Sequence, residues 1–349
     1  MKKHLTTNQI HTLLYEVLKK ENVQEFSANA VVDGLLHASL RGVDSHGFRL
    51  FPHYLSALKG GRINGQPDFS FEQTSPSTGI LNADDAFGHA AGMKAVENVI
   101  NLADSAGIGS VSVRKSTHFG AASFFSLKIA KNDLLGFSFT NSDPLILPTN
   151  GKIPYLGNNP ICFTAPCADE EPICLDMATS MVTFNKVLRF RENNTEAPRG
   201  IGFDKNGIET TDPNEIVGLA PAGEHKGYGL SLMVEVLCSL LSTMPFGPHI
   251  GHMYNDPLDT KRNIGQFFMA IKIGNFTDPE KFKQRLKEMV NELRDLESID
   301  PDKSVMVAGD PEKIISIERG KRGIPLMPNE IKYLVELSEK YDLLLPEIQ

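Results

Sequence analysis

Two histidines in short turns are the residues best suited to proton transfer. His118 follows an apolar stretch at 109–113, where a strand is expected to end and a helix to begin. His46 lies in the turn 44–47, between two expected helices. The partly positive surroundings of a helix start keep an imidazole neutral and able to accept a proton. General acid/base chemistry is therefore a hypothesis for both positions, although a lone histidine is more often a cap or a core residue.

Further polar residues lie in turns rich in glycine, asparagine and proline. Lys226 lies in the turn 224–229, where two glycines permit close approach of the backbone to a ligand. Ser142 precedes Asp143-Pro144, and Asp176 follows a short apolar strand. Asp176 either holds an imidazole in one tautomer or is an exposed carboxylate at the strand end. Since loop residues often carry function, these positions are candidates for ligand contacts.

The composition indicates a globular protein with a large core. The chain has 349 residues, of which 41% are hydrophobic. No apolar run approaches the roughly 20 residues that span a bilayer, and the start of the chain has no signal-like apolar segment, so a cytoplasmic location is expected. The net charge of -8, without a cluster of Lys and Arg, argues against a nucleic-acid partner. The four cysteines show no CxxC spacing and are expected to be buried free thiols.

Apolar periodicity predicts that the first 75 residues are helical. Apolar residues recur with helical spacing from Ile10 to Leu18, after capping residues at 6–8. Two more helices are expected at 27–40 and at 51–59, and Gly60-Gly61 ends the last one. This segment and the tail, 301–349, are expected to form a helical and irregular domain, with a helix near 329–340 in the tail.

From about residue 78 the pattern changes to that of an α/β domain, expected over residues 76–300. Residues 228–241 are apolar nearly all round, which predicts a helix buried within this lobe. An amphipathic helix follows Asp278. The other segments with helical or strand patterns predict a mixed sheet of about seven strands flanked by helices, with helices at 89–106 and 120–131 and strands at 79–83, 109–113, 135–139, 161–164, 173–175 and 267–271.

The dinucleotide fingerprint of a Rossmann fold is missing. That fingerprint is a GxGxxG segment that leaves a strand and enters a helix. The nearest match, Gly107-Ile108-Gly109, follows a helix and precedes a strand, which is the reverse order. A Rossmann enzyme is therefore excluded on this pattern.

The turns together resemble the malate/L-lactate/L-sulfolactate dehydrogenase family, which also includes ureidoglycolate dehydrogenase and 2,3-diketogulonate reductase. The resemblance covers nearly the whole chain and rests on segments 44–47, 116–122, 157–160, 175–180 and 224–230. It implies a non-Rossmann nicotinamide site on a mixed sheet, with NAD or NADP as cofactor and NAD favoured. It also implies hydride transfer between the nicotinamide and a small 2-hydroxy or 2-oxo acid, in a homodimer whose site lies near the subunit boundary.

The resemblance also assigns roles to individual residues. His118 is the expected acid/base, His46 its orienter or a proton relay, and Asp176 a third catalytic candidate. The implied cofactor contacts are Ser142, Asp176, Met177, Ala178, Lys226 and Gly309. Gly309 belongs to a turn in which Ala308 replaces the usual proline of the family.

The position of the substrate-binding arginine departs from the family. Members commonly carry an arginine four residues after the histidine of the SHG turn, but here that residue is Leu50 and the arginine is Arg49. A shift of one residue on a helix rotates a side chain by about 100°. Arg262 is therefore a second candidate for pairing with the substrate carboxylate, and Ser45 is a further substrate-binding candidate.

Several alternatives remain open at this point. Within the family, segments 141–144 and 245–266 look most like ureidoglycolate dehydrogenase, and malate or lactate dehydrogenase is the runner-up. A metal-dependent hydrolase is a distant alternative, based on His249, His252 and Asp256, although no metal is expected. A dinucleotide-binding homologue that has lost activity is another, and it rests mainly on Leu50.

Overall fold

A computed structural model describes residues 3–345 and 347–348. The α-helices are α1 Thr7–Lys20, α2 Glu25–Leu40, α3 Phe51–Lys59, α4 Gly88–Ala106, α5 Ser123–Ala130, α6 Phe184–Glu192, α7 His225–Glu235, α8 Pro279–Arg294, α9 Asp310–Arg322 and α10 Pro328–Tyr341. The strands are β1 Lys3–Leu5, β2 Ser70–Ser75, β3 Thr78–Asn82, β4 Ile108–Ser116, β5 Leu134–Thr140, β6 Ile161–Cys167, β7 Glu170–Met177, β8 Gly202–Phe203, β9 Gly218–Leu219, β10 Ile264–Lys272 and β11 Ile324–Leu326.

The N-terminal helices form as their apolar spacing predicts. The side chain of Thr6 accepts a hydrogen bond from the N–H of Gln9 at 3.3 Å, and Gln9 Oε1 accepts the N–H of Thr6 at 2.9 Å, so a capping box begins α1. The apolar faces of α1, α2 and α3 pack with α10 and the β1–β11 pair in one core. This core joins the first and last segments of the chain. The proposed domain limits stay a prediction, and their outer ends, residues 1 and 349, lie outside the described residues.

A seven-stranded mixed sheet forms the centre of the α/β lobe, as predicted. Its strand order is β2-β3-β4-β10-β5-β6-β7, and β3 and β4 are parallel whereas the other neighbours are antiparallel. Alternate residues of β10 point to opposite faces. Phe268 packs in the core with α4 and α5, whereas Phe267 packs in the cluster that contains Val234 of α7. The late strand β10 thus lies between two early strands and carries helices on both faces.

Three expectations about the elements are wrong. Residues 70–75 form the edge strand β2 instead of helix, and β2 is exposed at most positions, so it has no apolar alternation. The tail contains α9, which buries only Asp310 and therefore shows no apolar stripe. The predicted buried helix at 228–241 forms as α7 followed by a π-helical turn, Val236–Leu240, but one face is open: Leu232 is 47% exposed and Leu240 is 54% exposed.

The expected cysteine state is confirmed, since all four cysteines are buried and free. None of the helices in the described part of the chain is long and apolar enough to cross a membrane.

Candidate active site

His118 lies in the turn between β4 and α5. β4 ends at Ser116, and α5 begins only at Ser123, so the imidazole is not at the helix start. Its ring is partly exposed. Burial, followed by the neighbouring His46, nevertheless holds the pKa of His118 well below its ordinary value of 6.5. The imidazole is therefore neutral at pH 7, as expected, but burial is the main cause and not a helix dipole.

Tyr54 contacts His118 directly. The phenol Oη of Tyr54, a buried residue of α3, lies 2.6 Å from Nδ1 of His118. The two rings are roughly parallel, with centroids 6.1 Å apart. This contact fixes the ring orientation and leaves Nε2 as the nitrogen that is not bound to Tyr54. Tyr54 is a site residue that the sequence analysis missed.

His46 also stacks on the ring of His118. Its ring centroid lies 5.6 Å from that of His118, with 21° between the ring planes. Ser45 Oγ lies 2.9 Å from Nδ1 of His46, so the serine is bonded to the histidine beside it. Burial lowers the pKa of His46 to about 4. The structure thus brings both predicted histidines together as a neutral pair.

The two candidate arginines lie in different environments. Arg49 is exposed in a 3-10 turn, Phe48–Leu50, while Leu50 points into the core and is 8% exposed. Arg262 is 3% exposed; its Nε donates to the carbonyl of Gly251 at 2.9 Å, and its Nη2 donates to Asp143. After burial and His46, the charge of Arg262 is the next factor that lowers the pKa of His118. The charge of Arg262 therefore acts on the imidazole of His118.

Hydrogen bonds join three of the predicted cofactor loops. Ser142 Oγ accepts the N–H of Asn158 at 3.1 Å. The carbonyl of Asn158 accepts the N–H of Thr179, the residue after Ala178, at 2.9 Å. The carbonyl of Thr179 in turn accepts the N–H of Ala222 at 2.8 Å, four residues before Lys226. The predicted cofactor residues from distant parts of the sequence thus lie on adjoining loops.

Asp176 and Gly309 lie along β7. Asp176 Oδ2 accepts the N–H of Ser123, the first residue of α5, at 2.8 Å. Between residues 3 and 345 it makes no hydrogen bond to an imidazole, so its catalytic role stays a prediction. Gly309 has a φ of 96°, and a Cβ added there would lie 3.2 Å from the backbone nitrogen of Cys174. A glycine here lets the turn approach the strand next to Met177.

The His249–Asp256 loop is held by hydrogen bonds to two carboxylates, Asp256 within the loop and Asp143 outside it. The N–H of His252 donates to Asp256 Oδ2 at 2.7 Å, and the N–H of Met253 donates to Asp143 Oδ2 at 2.9 Å. Within the residues that the structure describes, no group of three His, Cys, Asp or Glu side chains is placed to hold a metal ion.

Comparison with known proteins gives one consistent result. The family model described as malate/L-lactate dehydrogenase matches residues 5–335. A ureidoglycolate dehydrogenase (NAD(+)) from Escherichia coli O157:H7 is 33% identical over 331 residues, which is 95% of each chain. A malate dehydrogenase from Pyrococcus abyssi is 34% identical over 95% of this chain and 93% of its own. The crystal structure of malate dehydrogenase from Entamoeba histolytica superposes with a TM-score of 0.94 at 30% identity, covering 99% of this chain and 100% of that one.

Proposed function

Because the chain belongs to the malate/L-lactate dehydrogenase family and is thus a nicotinamide-dependent 2-hydroxy acid dehydrogenase, we propose that it oxidises ureidoglycolate with NAD. The observation that supports this activity is the environment of the His118 ring, which is neutral, lies beside His46 and is oriented by its contact with Tyr54. Malate or L-lactate is the second candidate substrate, since a malate dehydrogenase is equally similar over the whole chain.

His118 is the proposed acid/base. A neutral imidazole carries hydrogen on only one ring nitrogen, so an Nδ1–H donated to Tyr54 leaves Nε2 able to accept the proton of the substrate hydroxyl. Because His46 is itself neutral at pH 7, it adds no positive charge that would repel the protonated ring. When bound, the nicotinamide ring supplies the hydride acceptor.

Lys226 and the adjoining loops fit an anionic dinucleotide. Lys226 is exposed in the first turn of α7, and a Cβ added at Gly229 would meet no atom of the described residues within 4 Å. A lysine at a helix N-terminus next to open space suits a phosphate group. Ser142, Met177 and Ala178 would hold the remainder of the cofactor, and NAD is proposed because the similar ureidoglycolate dehydrogenase from Escherichia coli is an NAD(+) enzyme.

Arg262 is the proposed partner of the substrate carboxylate. Its charge lowers the pKa of His118, His53 and Tyr254, whereas that of Arg49 acts only on Tyr254 among these three. Arg262 is therefore the arginine whose charge reaches the proposed acid/base. A carboxylate near Arg262 would share the guanidinium with Asp143.

A homodimer is the proposed assembly, with the site near the subunit boundary. A second copy of this chain would cover the open face of α7 and of its π-helical turn, and the first turn of α7 carries Lys226, the proposed cofactor residue. This face carries apolar side chains that are 39–54% exposed: Leu230, Leu232, Met233, Val236, Leu240 and Leu241. Sedimentation should show a dimer that Leu240→Glu dissociates with loss of activity. A stable, active monomer contradicts the proposal.

A substrate screen tests the proposed activity. Ureidoglycolate, malate, L-lactate and L-sulfolactate are each offered with NAD and with NADP, and reduced dinucleotide is followed by absorbance. The highest kcat/KM is expected for ureidoglycolate with NAD. A higher kcat/KM for malate would show that malate, and not ureidoglycolate, is the substrate. If the protein binds the dinucleotide but turns over none of these acids, it is an inactive homologue.

A further inference from the structure

Gln266 is a buried polar residue in the centre of the sheet. It lies on β10, opposite Val113 of β4 and Thr140 of β5, and its side chain is fully buried. Such positions in a central strand are ordinarily apolar, because an amide loses its hydrogen bonds to water on burial. The Oε1 of Gln266 has no hydrogen-bond partner within residues 3–345. The amide nitrogen, Nε2, is therefore the part of the side chain that makes its hydrogen bonds.

The amide nitrogen of Gln266 holds the turn that carries His118. Nε2 donates to Ser116 Oγ at 2.7 Å, and it lies 3.4 Å from the carbonyl of Thr117 and 3.3 Å from that of Gly88. Ser116 and Thr117 are the two residues before His118. One side chain thus ties the end of β4 to the start of α4, directly behind the catalytic imidazole.

A β-bulge brings Gln266 to this turn. Ile264 pairs with Ser116 but Gln266 pairs with Val113, so two residues of β4, Arg114 and Lys115, lie opposite a single residue of β10. Lys115 has a φ of 52°, in the left-handed region. Bulges bend a strand and redirect its side chains, and they are common next to active sites.

Gly88 completes the arrangement on the other side. Its N–H donates to Thr117 Oγ1 at 2.9 Å, and Thr117 Oγ1 donates to the carbonyl of Ala86 at 3.0 Å. A Cβ added at Gly88 would lie 2.2 Å from the carbonyl oxygen of Thr117 and 2.4 Å from that of His118. The turn therefore packs closely against the start of α4, and the Gln266 amide adds a hydrogen bond to the end of β4 just before it.

We propose that Gln266 is a positioning residue that orients the imidazole of His118 toward the substrate. This inference rests on the proposed acid/base role of His118. It predicts that losing the amide donor lets the turn relax while substrate and dinucleotide still bind. A misplacement of about 1 Å at a reacting group can lower a rate by about 10²-fold.

The first test is Gln266→Met, which keeps the length of the side chain but removes both polar atoms. We expect kcat to fall by roughly 10- to 100-fold, with KM and dinucleotide affinity changed less than about twofold. The matched control is Thr164→Val on β6. Thr164 is fully buried and its Oγ1 donates to the carbonyl of Ser126 at 2.7 Å. This control should lose stability and keep its kcat.

The second test is Gln266→Glu, which restores a donor only while the new carboxyl is protonated. Burial beside two carbonyls raises the pKa of such a carboxyl. We expect kcat close to that of the wild type at low pH and a fall relative to the wild type as the carboxyl ionises. If Gln266→Met does not fold, the pH profile of kcat for Gln266→Glu is the test of the positioning role. A profile parallel to that of the wild type overturns the proposal.

The variant His118→Ala distinguishes a failure of the positioning role of Gln266 from a failure of the acid/base role of His118. If His118→Ala is inactive while folded Gln266→Met keeps its kcat, only the positioning role is wrong. An equal fall in kcat for Thr164→Val also overturns that role, because any buried hydrogen bond would then have the same effect. If His118→Ala is fully active, the proposed acid/base role itself is wrong.

Discussion

Replacing His89 with leucine should make the protein less sensitive to acid. His89 is fully buried, and neither of its ring nitrogens has a hydrogen-bond partner in the described chain. A Cβ added at Gly34 or Gly120 would lie 2.3 or 2.4 Å from an atom of its ring, so the ring fills its space. Its edge faces the ring of Tyr54, with centroids 5.4 Å apart. Protonation would place an unpaired charge in this core, next to Tyr54.

The size of the effect follows from the pKa of the imidazole. Burial, with a smaller contribution from His46, lowers the pKa of His89 from 6.5 to about 3. The unfolded chain then binds a proton that the folded protein does not, so stability is complete above pH 6.5 and falls as the pH drops toward 3. Between pH 7 and pH 5, His89 alone should cost about 2 kcal/mol of the free energy of unfolding.

Denaturant unfolding at pH 7 and pH 5 measures this quantity. The predicted quantity is the loss of unfolding free energy between the two pH values, which should be smaller in His89→Leu than in the wild type by about 2 kcal/mol. The exposed His249 provides the control, since His249→Gln should leave the difference unchanged. An acid-induced loss in His89→Leu equal to that of the wild type would show that His89 is not a buried neutral imidazole.

Three further predictions concern the site itself. Tyr54→Phe removes the contact to His118 and should lower kcat about 5- to 10-fold, the value of one neutral hydrogen bond of about 1 kcal/mol; an unchanged kcat in steady-state kinetics contradicts the orienting role. Burial holds the pKa of His46 near 4 and that of His118 also below 6.5. Therefore kcat/KM for oxidation should stay level as the pH falls through 6.5, and a decline centred at pH 6.5 would refute the lowered pKa of these histidines. Arg262→Ala should raise KM for the acid at least about 30-fold, the equivalent of about 2 kcal/mol for a charge-assisted pair, while Arg49→Ala should be mild; a large effect confined to Arg49→Ala assigns the carboxylate to Arg49.

Elements with one buried and one exposed face could be predicted from the sequence. α3 spans the expected residues, because its apolar positions face the core and the glycines at 60–61 end it. β2 and α9 have almost no buried face, so periodicity could not show them. The apolar run of α7 was visible, but the sequence could not show whether this chain or a second copy covers it.

The candidate site divides in the same way. Motifs located the turns that carry His46 and His118, but not the partners that orient them. Tyr54 is 64 residues from His118 in sequence, and Gln266 is 150 residues from Ser116. These contacts depend on how α3 packs against the lobe and on the place of β10 in the sheet. Neither a tyrosine in a helix nor a glutamine in a strand has a spacing that predicts such a contact.

Single-turnover reduction of a 2-oxo acid by His118→Ala and His46→Ala distinguishes the two histidines as the general acid/base. His118→Ala should lower the rate roughly 10²- to 10⁴-fold, the usual contribution of one general acid/base, with dinucleotide binding by fluorescence quenching nearly unchanged. His46→Ala should have the smaller effect, because its ring only stacks on that of His118. If His46→Ala shows the larger loss and His118→Ala stays active, the acid/base is His46 and the account of this site is wrong.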